Sequence, residues 1–277
     1  MGKEQVKYLL MKRIIVSSLK GGTGKTSSTV NLGRAFQRAG HAVGLLDVDA
    51  TAPTLYKGLG LNKAPSLELD SVKAKLMPFE LDGLYALTLA SHYDKKDSQP
   101  AVLWDEPTLI RAMREIIRDA IWPPLDYLIL DSPPSSSGFM QALFDALVGD
   151  VYGTVLVFQP SDIAVEDLIR TLDFIKYKKV PVIGLIANMS YCISPSGEEF
   201  WPFISPNVKI GELCEEHGIP QLGEVPLTPS QDIINLEFDK IALRVIDAKP
   251  LVLREGMLKK LFEKIAMKAV EAATRRL

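Results

Sequence analysis

The stretch SSLKGGTGKTSS, Ser17–Ser28, joins an apolar run to a segment of helical period and carries two lysines, Lys20 and Lys25. Strand, glycine-rich turn and helix in that order are the context that gives a phosphate-loop match its meaning. Glycines let backbone N–H groups turn inward around an anion, and the following helix adds the positive end of its dipole. The pattern predicts that Lys25 reaches the β- and γ-phosphates of a nucleotide and that the Thr26 hydroxyl binds Mg²⁺. The predicted nucleotide contacts are Gly21, Gly22, Thr23, Gly24, Lys25, Thr26 and Ser27.

The composition argues against several classes of protein. The 32 basic and 34 acidic residues leave a net charge of −2, so a large basic surface for nucleic acid is not expected. The two cysteines, Cys192 and Cys214, lie far apart, which argues against a disulfide-rich secreted fold and favours a reducing cytoplasm. No apolar run is long enough to cross a membrane, and the amphipathic stretch 257–277 is expected to pack on the core.

Short apolar runs alternate with segments of helical period along the whole chain. Runs that are apolar throughout are typical of strands buried on both faces, as in a parallel sheet covered by helices. The fold class is therefore predicted to be α/β: a doubly wound, mostly parallel sheet flanked by helices on both faces. The predicted strands are 13–18, 42–49, 84–90, 126–131, 153–160, 181–189 and 221–226, and the predicted helices are 27–40, 106–121, 164–179 and 206–219.

The domain organisation follows from what lies between these elements. Residues 59–83 have no regular period and are predicted to form a long surface connection. With no internal repeat and no break in composition, the sequence predicts an N-terminal extension over residues 1–12 and one P-loop domain over 13–277.

Three aspartates stand at the ends of two predicted strands. Asp47 and Asp49 end LLDVDATAP, and Asp131 ends DYLILDSPP. Taken alone, such an aspartate is more often a turn or capping residue. Beside a phosphate loop, a carboxylate at the carboxyl end of an apolar strand is the Walker B arrangement that fixes Mg²⁺. The sequence therefore predicts a Mg²⁺ site at this edge of the sheet.

Taken together, KGGTGKT, LLDVDATAPT, LDYLILDSPP and GLIANMS resemble the Mrp (ApbC) branch of the MinD/ParA-type deviant Walker A P-loop ATPases. The resemblance runs from about residue 12 to about residue 230, and it implies slow, Mg²⁺-dependent hydrolysis of ATP. It also implies an ATP-dependent homodimer in which Lys20 crosses to the partner's phosphates. The alternative is that Lys20 is a solvated loop lysine.

The same resemblance implies roles for the other site residues. Asp49 corresponds to the catalytic aspartate that positions the attacking water, and Asp47 supports Mg²⁺ together with Thr26 and Asp131. Asn188 corresponds to the asparagine that recognises the adenine edge, and Pro226 is the expected contact in the loop around the base.

Two motifs depart from the family pattern. Where Mrp-type iron–sulfur carriers have a Cys-Pro-x-Cys pair, this chain has Ser194-Pro195-Ser196-Gly197, with Cys192 two residues upstream. An iron–sulfur cluster needs soft thiolate ligands, so Cys192 is a weak candidate ligand and an ordinary loop cysteine is the alternative. Cys214 is expected in the core. The acidic residue expected after Walker B is absent from Ser135–Gly138, so the hydrolysis rate stays open.

Three functions are compatible with these residues. The first is an ATPase that assists iron–sulfur or other metal-centre assembly, with a client apo-metalloprotein or a metallochaperone as partner. The second is a hydrogenase-maturation ATPase, which needs no cluster of its own. The third is a MinD/ParA-type positioning ATPase, although the near-neutral charge and the expected core packing of 257–277 disfavour binding to DNA or a membrane.

Overall fold

The computed structural model describes residues 11–18, 20–49, 53–65, 68–70, 75–89, 105–133, 138–194, 196–203 and 209–253. The predictions for the N-terminal extension, for Ser135–Ser137 and for the stretch 257–277 lie outside these ranges. Within the ranges, no helix combines the length and the apolar character needed to cross a lipid bilayer.

The described chain contains twelve strands and seven helices. The strands are β1 (Lys12–Ser17), β2 (Val43–Asp47), β3 (Glu68–Asp70), β4 (Lys75–Met77), β5 (Phe79–Leu81), β6 (Leu84–Thr88), β7 (Tyr127–Asp131), β8 (Gly153–Phe158), β9 (Val182–Asn188), β10 (Cys192–Ile193), β11 (Glu199–Phe200) and β12 (Gln221–Val225). The helices are α1 (Lys25–Arg38), α2 (Leu55–Gly58), α3 (Glu106–Asp119), α4 (Gly138–Ala146), α5 (Asp162–Tyr177), α6 (Ile210–His217) and α7 (Gln231–Asp247).

Eight of the strands form one sheet in the order β12-β9-β8-β1-β7-β2-β6-β5. Every neighbouring pair is parallel except β5 and β6, which are antiparallel. Later strands β8, β9 and β12 extend the sheet on one side of β1, and β7, β2, β6 and β5 extend it on the other, so the sheet is doubly wound as predicted. This arrangement brings the carboxyl ends of β1, β2 and β7 side by side at one edge.

Both faces of the sheet are buried, which explains why the strands are apolar throughout. Ile14 and Ile15 are adjacent in β1, both have no exposed surface, and they belong to different hydrophobic clusters. Helices α1 and α7 contribute to the cluster on one face, whereas α3, α4, α5 and α6 contribute to the other. Alternate residues of one strand therefore pack into two separate cores.

The prediction for residues 59–83 was wrong. Three short strands lie there: β3 and β4 form a hairpin, and β5 pairs with β6 to become the antiparallel edge of the main sheet. Strands of three residues are too short to show a hydrophobic period, so only pairing with β6 identifies β5.

Three helices, α2, α4 and α7, were not predicted from the sequence. The signal for α7 was present, because Phe238, Ile241, Ala242 and Val245 recur at helical spacing and are all buried. Ala39, near the end of the predicted helix 27–40, caps α1 and is exposed.

Substitution of Gly184 tests the close approach of strands β9 and β12. A Cβ atom there would collide with the Pro220 carbonyl oxygen and lie 2.8 Å from Leu222 Cγ. We expect Gly184→Ala to lower the free energy of unfolding by about 1–3 kcal/mol, because the backbone of β12 would have to move. The control is Gly211→Ala in α6, where the nearest neighbour of a Cβ is Gln221 Oε1 at 3.7 Å. Urea midpoints measure both variants, and equal midpoints would contradict the prediction.

Candidate functional site

The glycine-rich loop leads from the end of β1 into the first turn of α1. Gly22 and Gly24 both have φ of +82°, a conformation that side-chain-bearing residues rarely adopt. Gly24 is also the N-cap of α1, and a Cβ atom there would collide with the side-chain amide of Asn188. The glycines at these positions therefore permit the turn and the close approach of β9 to the loop.

Lys25 and Thr26 both bind Asp131 at the end of β7. The Lys25 Nζ lies 3.1 Å from Asp131 Oδ1, and the Thr26 hydroxyl donates to Oδ2 at 2.6 Å. Thr29, one turn further along α1, donates to Oδ1 at 3.3 Å. Asp131 is 1% exposed, and burial raises its pKa while the Lys25 ammonium opposes that shift. These contacts fix the start of α1 against the centre of the sheet.

Asp47 lies beside Asp131, because β2 and β7 pair with these two residues in register. Its carboxylate accepts hydrogen bonds from the backbone N–H groups of Asp49 and Leu55, each at 3.1 Å, and from the Thr88 hydroxyl at 3.0 Å. Burial, and secondly the charge of Asp131, raise the pKa of Asp47 to about 8. Two buried acids side by side disfavour each other's charge, so a cation at this edge would stabilise both.

The oxygen atoms at this edge suit a hard cation. The Thr26 hydroxyl and the Asp47 and Asp131 carboxylates are of the ligand type that Mg²⁺ prefers. Among the residues that the structure describes, no three histidine, cysteine or acidic side chains could hold a metal ion by themselves. A Mg²⁺ ion here would therefore need phosphate oxygens and water as its remaining ligands.

Asn188 contacts the phosphate loop directly. Its Nδ2 donates to the Thr23 carbonyl oxygen at 2.8 Å, and its side chain is almost fully buried. Residue Met189, which follows, has a positive φ of +53°, so the chain turns sharply at the end of β9. Asn188 thus braces the loop, a role that the sequence did not reveal. Recognition of adenine by Asn188 stays a prediction.

Pro226 lies next to Asn188 because β9 and β12 end together. Val225 pairs with Asn188 in the sheet, and the Val225 carbonyl accepts a hydrogen bond from the Ser190 N–H at 3.0 Å. Leu227 N–H donates to the Tyr191 carbonyl at 2.7 Å. The two segments predicted to surround the base are therefore tied to each other and to the phosphate loop.

The two lysines of the loop have different environments. The side chain of Lys25 is 11% exposed and is bound to Asp131, whereas Lys20 is exposed. The backbone of Lys20 is fixed, since its carbonyl accepts hydrogen bonds from the hydroxyls of Ser18 and Thr23 at 3.1 and 3.4 Å. Gly21, Gly22 and Ser27 are also exposed, while Asp49 is buried beside the loop.

The two cysteines lie in different settings. Cys192 is half-buried in β10, and Cys214 is buried in α6, where burial raises the pKa of its thiol to about 11. Ser194 and Gly197, which occupy the positions of the expected cysteine pair, help to close the β10–β11 hairpin: Ser194 exchanges backbone hydrogen bonds with Glu198 and Gly197, and its hydroxyl lies 2.8 Å from that of Ser196. The described residues therefore provide one accessible thiol per chain near this hairpin.

Thr29 and Thr88 are site residues that sequence analysis missed. Both donate a hydroxyl to one of the buried carboxylates, Thr29 to Asp131 and Thr88 to Asp47. Thr29 follows Lys25 by one helical turn, which was a usable signal. Thr88 is separated from Asp47 by 41 positions and reaches it only because β6 pairs with β2.

Comparison with known proteins agrees with this geometry. A family described as ParA: NUBPL iron-transfer P-loop NTPase matches residues 10–266. An iron-sulfur cluster carrier protein of Methanocaldococcus jannaschii is 30% identical over 94% of this chain and 84% of its own length. One of Aquifex aeolicus is 31% identical over 78% of this chain, which spans only 57% of that relative's length.

Among solved structures, a nucleotide-binding protein of Archaeoglobus fulgidus in complex with ADP has a TM-score of 0.68 at 23% identity, covering 90% of this chain and 97% of its own. The septum site-determining protein MinD of Pyrococcus horikoshii, complexed with Mg-ADP, has a TM-score of 0.60 at 22% identity, covering 86% and 96%. Both share the fold. The matched family, the buried Lys25–Asp131 pair and the glycine loop lead to one conclusion: this chain belongs to the ParA/NUBPL iron-transfer P-loop NTPase family.

Proposed function

We propose that this chain is a Mg²⁺-dependent ATPase of slow turnover, acting as a homodimer that assists iron–sulfur or other metal-centre assembly in the cytoplasm. The observation that carries this proposal is the buried contact of Lys25 and Thr26 with Asp131 behind a glycine-rich loop. The family and the names of the relatives support the role in metal-centre assembly. The expected partner is a client apo-metalloprotein or a metallochaperone.

The phosphates of ATP would bind where the loop presents its backbone N–H groups to the start of α1. Lys25 then exchanges part of its contact with Asp131 for the β- and γ-phosphates, and Asp49 orients the attacking water. Thr26, Asp47 and Asp131 would hold Mg²⁺, which would supply positive charge beside the phosphates. Three hydrogen-bond donors already fix the orientation of the Asp47 carboxylate.

The exposure of Lys20 supports the proposed dimer. Its backbone is anchored to the loop while its ammonium group is on the surface, so it can contact the nucleotide bound by a second subunit. Two nucleotides enclosed between two subunits bring many negative charges together, and a cation from each side lowers that repulsion.

Binding of an iron–sulfur cluster is the part of the proposed function for which this chain supplies the fewest ligands. An iron–sulfur cluster is normally held by four thiolates, and a dimer offers two Cys192 thiols from its hairpins. We therefore propose that any cluster is held transiently, by the Cys192 pair with further ligands from the client. Slow hydrolysis would time its release.

The two loop lysines should separate binding from dimerisation. Lys25→Ala is expected to weaken ATP binding at least tenfold, since it removes a charge-assisted contact with the phosphates. Lys20→Ala should keep ATP affinity within about twofold of the parent while abolishing the ATP-dependent dimer and slowing hydrolysis. Fluorescent-nucleotide titration, analytical ultracentrifugation and phosphate release measure these effects. A Lys20→Ala protein that still dimerises and turns over normally would refute the proposed trans role.

Asn188→Ala tests the brace between β9 and the phosphate loop. Removing its hydrogen bond to Thr23 should weaken ATP and GTP binding by the same factor, about five- to tenfold, because the loop loses its support rather than a contact with the base. Asn235→Ala changes a half-buried asparagine of α7 whose side chain accepts a hydrogen bond from Gln231, and this control should leave both affinities unchanged. Loss of ATP affinity alone would instead assign Asn188 to recognition of adenine.

The cysteines allow a direct test of the role in metal-centre assembly. After anaerobic reconstitution with iron and sulfide and desalting, we expect the parent dimer to retain iron and the Cys192→Ala dimer to retain none. Cys214→Ala is the control, because its thiol is buried in the core and unable to serve as a ligand. A parent protein that binds ATP but holds no iron would refute the proposed cargo while leaving the ATPase intact.

A further inference from the structure

An open groove of about 550 Å³ lies between strand β12, helix α7 and the segment that carries the β10–β11 hairpin. Its aromatic lining consists of Tyr191 and Trp201, and its acidic lining consists of Glu199, Glu224 and Glu237. None of these residues belongs to the phosphate loop or to the carboxylate pair at the ends of β2 and β7. The groove is therefore a second candidate binding site.

The strand edge in this groove is already blocked against pairing with another strand. β12 ends the main sheet, and its register shifts between Gln221 and Gly223. At the shift, Arg244 Nη1 of α7 donates to the Leu222 carbonyl at 2.6 Å. Bulges and side chains that occupy edge carbonyls prevent strand addition, so a ligand here is recognised through its side chains.

The aromatic side chains that line the groove are partly exposed to solvent. The rings of Tyr191 and Trp201 lie 6.1 Å apart at 42°, and Trp201 is 49% exposed. Phe200 and Phe203 flank it with 47% and 45% exposure. A half-exposed indole beside a groove offers a flat, electron-rich face, to which a cation binds well.

The acidic part faces the same rings. Burial raises the pKa of Tyr191, and the charges of Glu237, Glu199 and Glu224 raise it further, so all three carboxylates act on one phenol. Two cations also line the groove: Lys240 pairs with Glu237 at 2.7 Å, and Arg244 donates to the Leu222 carbonyl. The three carboxylates against these two cations leave a net charge of −1 beside an aromatic face, which favours an ammonium or guanidinium group over an anion.

We propose that this groove binds an arginine or lysine side chain presented by the client polypeptide. The identity of the partner as a client rests on the proposed function. Cys192 lies in the same hairpin: it follows Tyr191 and pairs with Phe200, on the opposite face of the strands from Tyr191 and Glu199. A client held by its basic side chain at Trp201 would therefore be bound at the hairpin that carries this thiol.

The test is peptide binding by the full-length, nucleotide-free protein. The probe is a fluorescein-labelled nonapeptide with two arginines, and its partner probe carries two citrullines, which keep the shape but lack the charge. Anisotropy at low ionic strength should give at least about tenfold tighter binding of the arginine peptide. Trp201→Ala and Glu199→Gln should each weaken it about three- to fivefold.

The control variant is Glu198→Gln, which removes the same charge from the neighbouring exposed residue of the hairpin and should leave the affinity unchanged. An equal loss in Glu198→Gln, or equal binding of the citrulline peptide, would overturn the proposal. The proposal would also be overturned if the protein did not bind the arginine peptide but sedimented with phosphatidylserine vesicles in a way that depends on Trp201. Binding of an ATP analogue is measured for each variant. It shows whether the proposed nucleotide site is intact when peptide binding is lost.

Discussion

Asp131 is a carboxylate with almost no access to water, and the phosphate loop is built around it. One of its oxygens contacts Lys25 and Thr29, and the other accepts the Thr26 hydroxyl. A buried carboxylate without such partners would be strongly destabilising, of the order of 3–5 kcal/mol when one member of a buried pair is removed. The contact therefore fixes the first turn of α1 relative to β7. The direction of the loop, the exposure of Lys20 and the position of Thr26 all depend on it.

The second carboxylate, Asp47, makes the electrostatics of this edge of the sheet unfavourable. Asp47 lies in register with Asp131, and its raised pKa reflects burial next to that neighbour. Three hydrogen bonds nevertheless hold its oxygens in place. A divalent cation would stabilise such a site strongly, because its charge would offset the repulsion between the two buried carboxylates. Burial of the two carboxylates side by side lowers the stability of the fold locally. Ionisable groups with perturbed pKa values of this kind are common at functional sites.

The hairpin after β9 separates this chain from the pattern of a carrier with a complete set of thiolates. Ser194 and Gly197 occupy the expected cysteine positions, and the hydrogen bond between them helps to close the turn. What the hairpin offers instead is the half-buried Cys192, an exposed aromatic face and a neighbouring acidic groove. These features suit the proposed binding of a basic client side chain. Three carboxylates against the cations of Lys240 and Arg244 give the lining of the groove a net charge of −1.

Local patterns in the sequence determined the parallel sheet and the glycine loop with its two lysines. This was feasible because a strand buried on both faces is apolar throughout and a phosphate loop needs glycine at fixed positions. Only the tertiary structure decided that Thr88 reaches Asp47, that Asn188 supports the loop through Thr23, and that β5 completes the sheet. The same holds for the groove of Trp201, which joins residues from a hairpin, a strand and a helix. The physical reason is that these contacts join residues from separate segments, and strand pairing and helix packing, rather than any local period, set the distances between them.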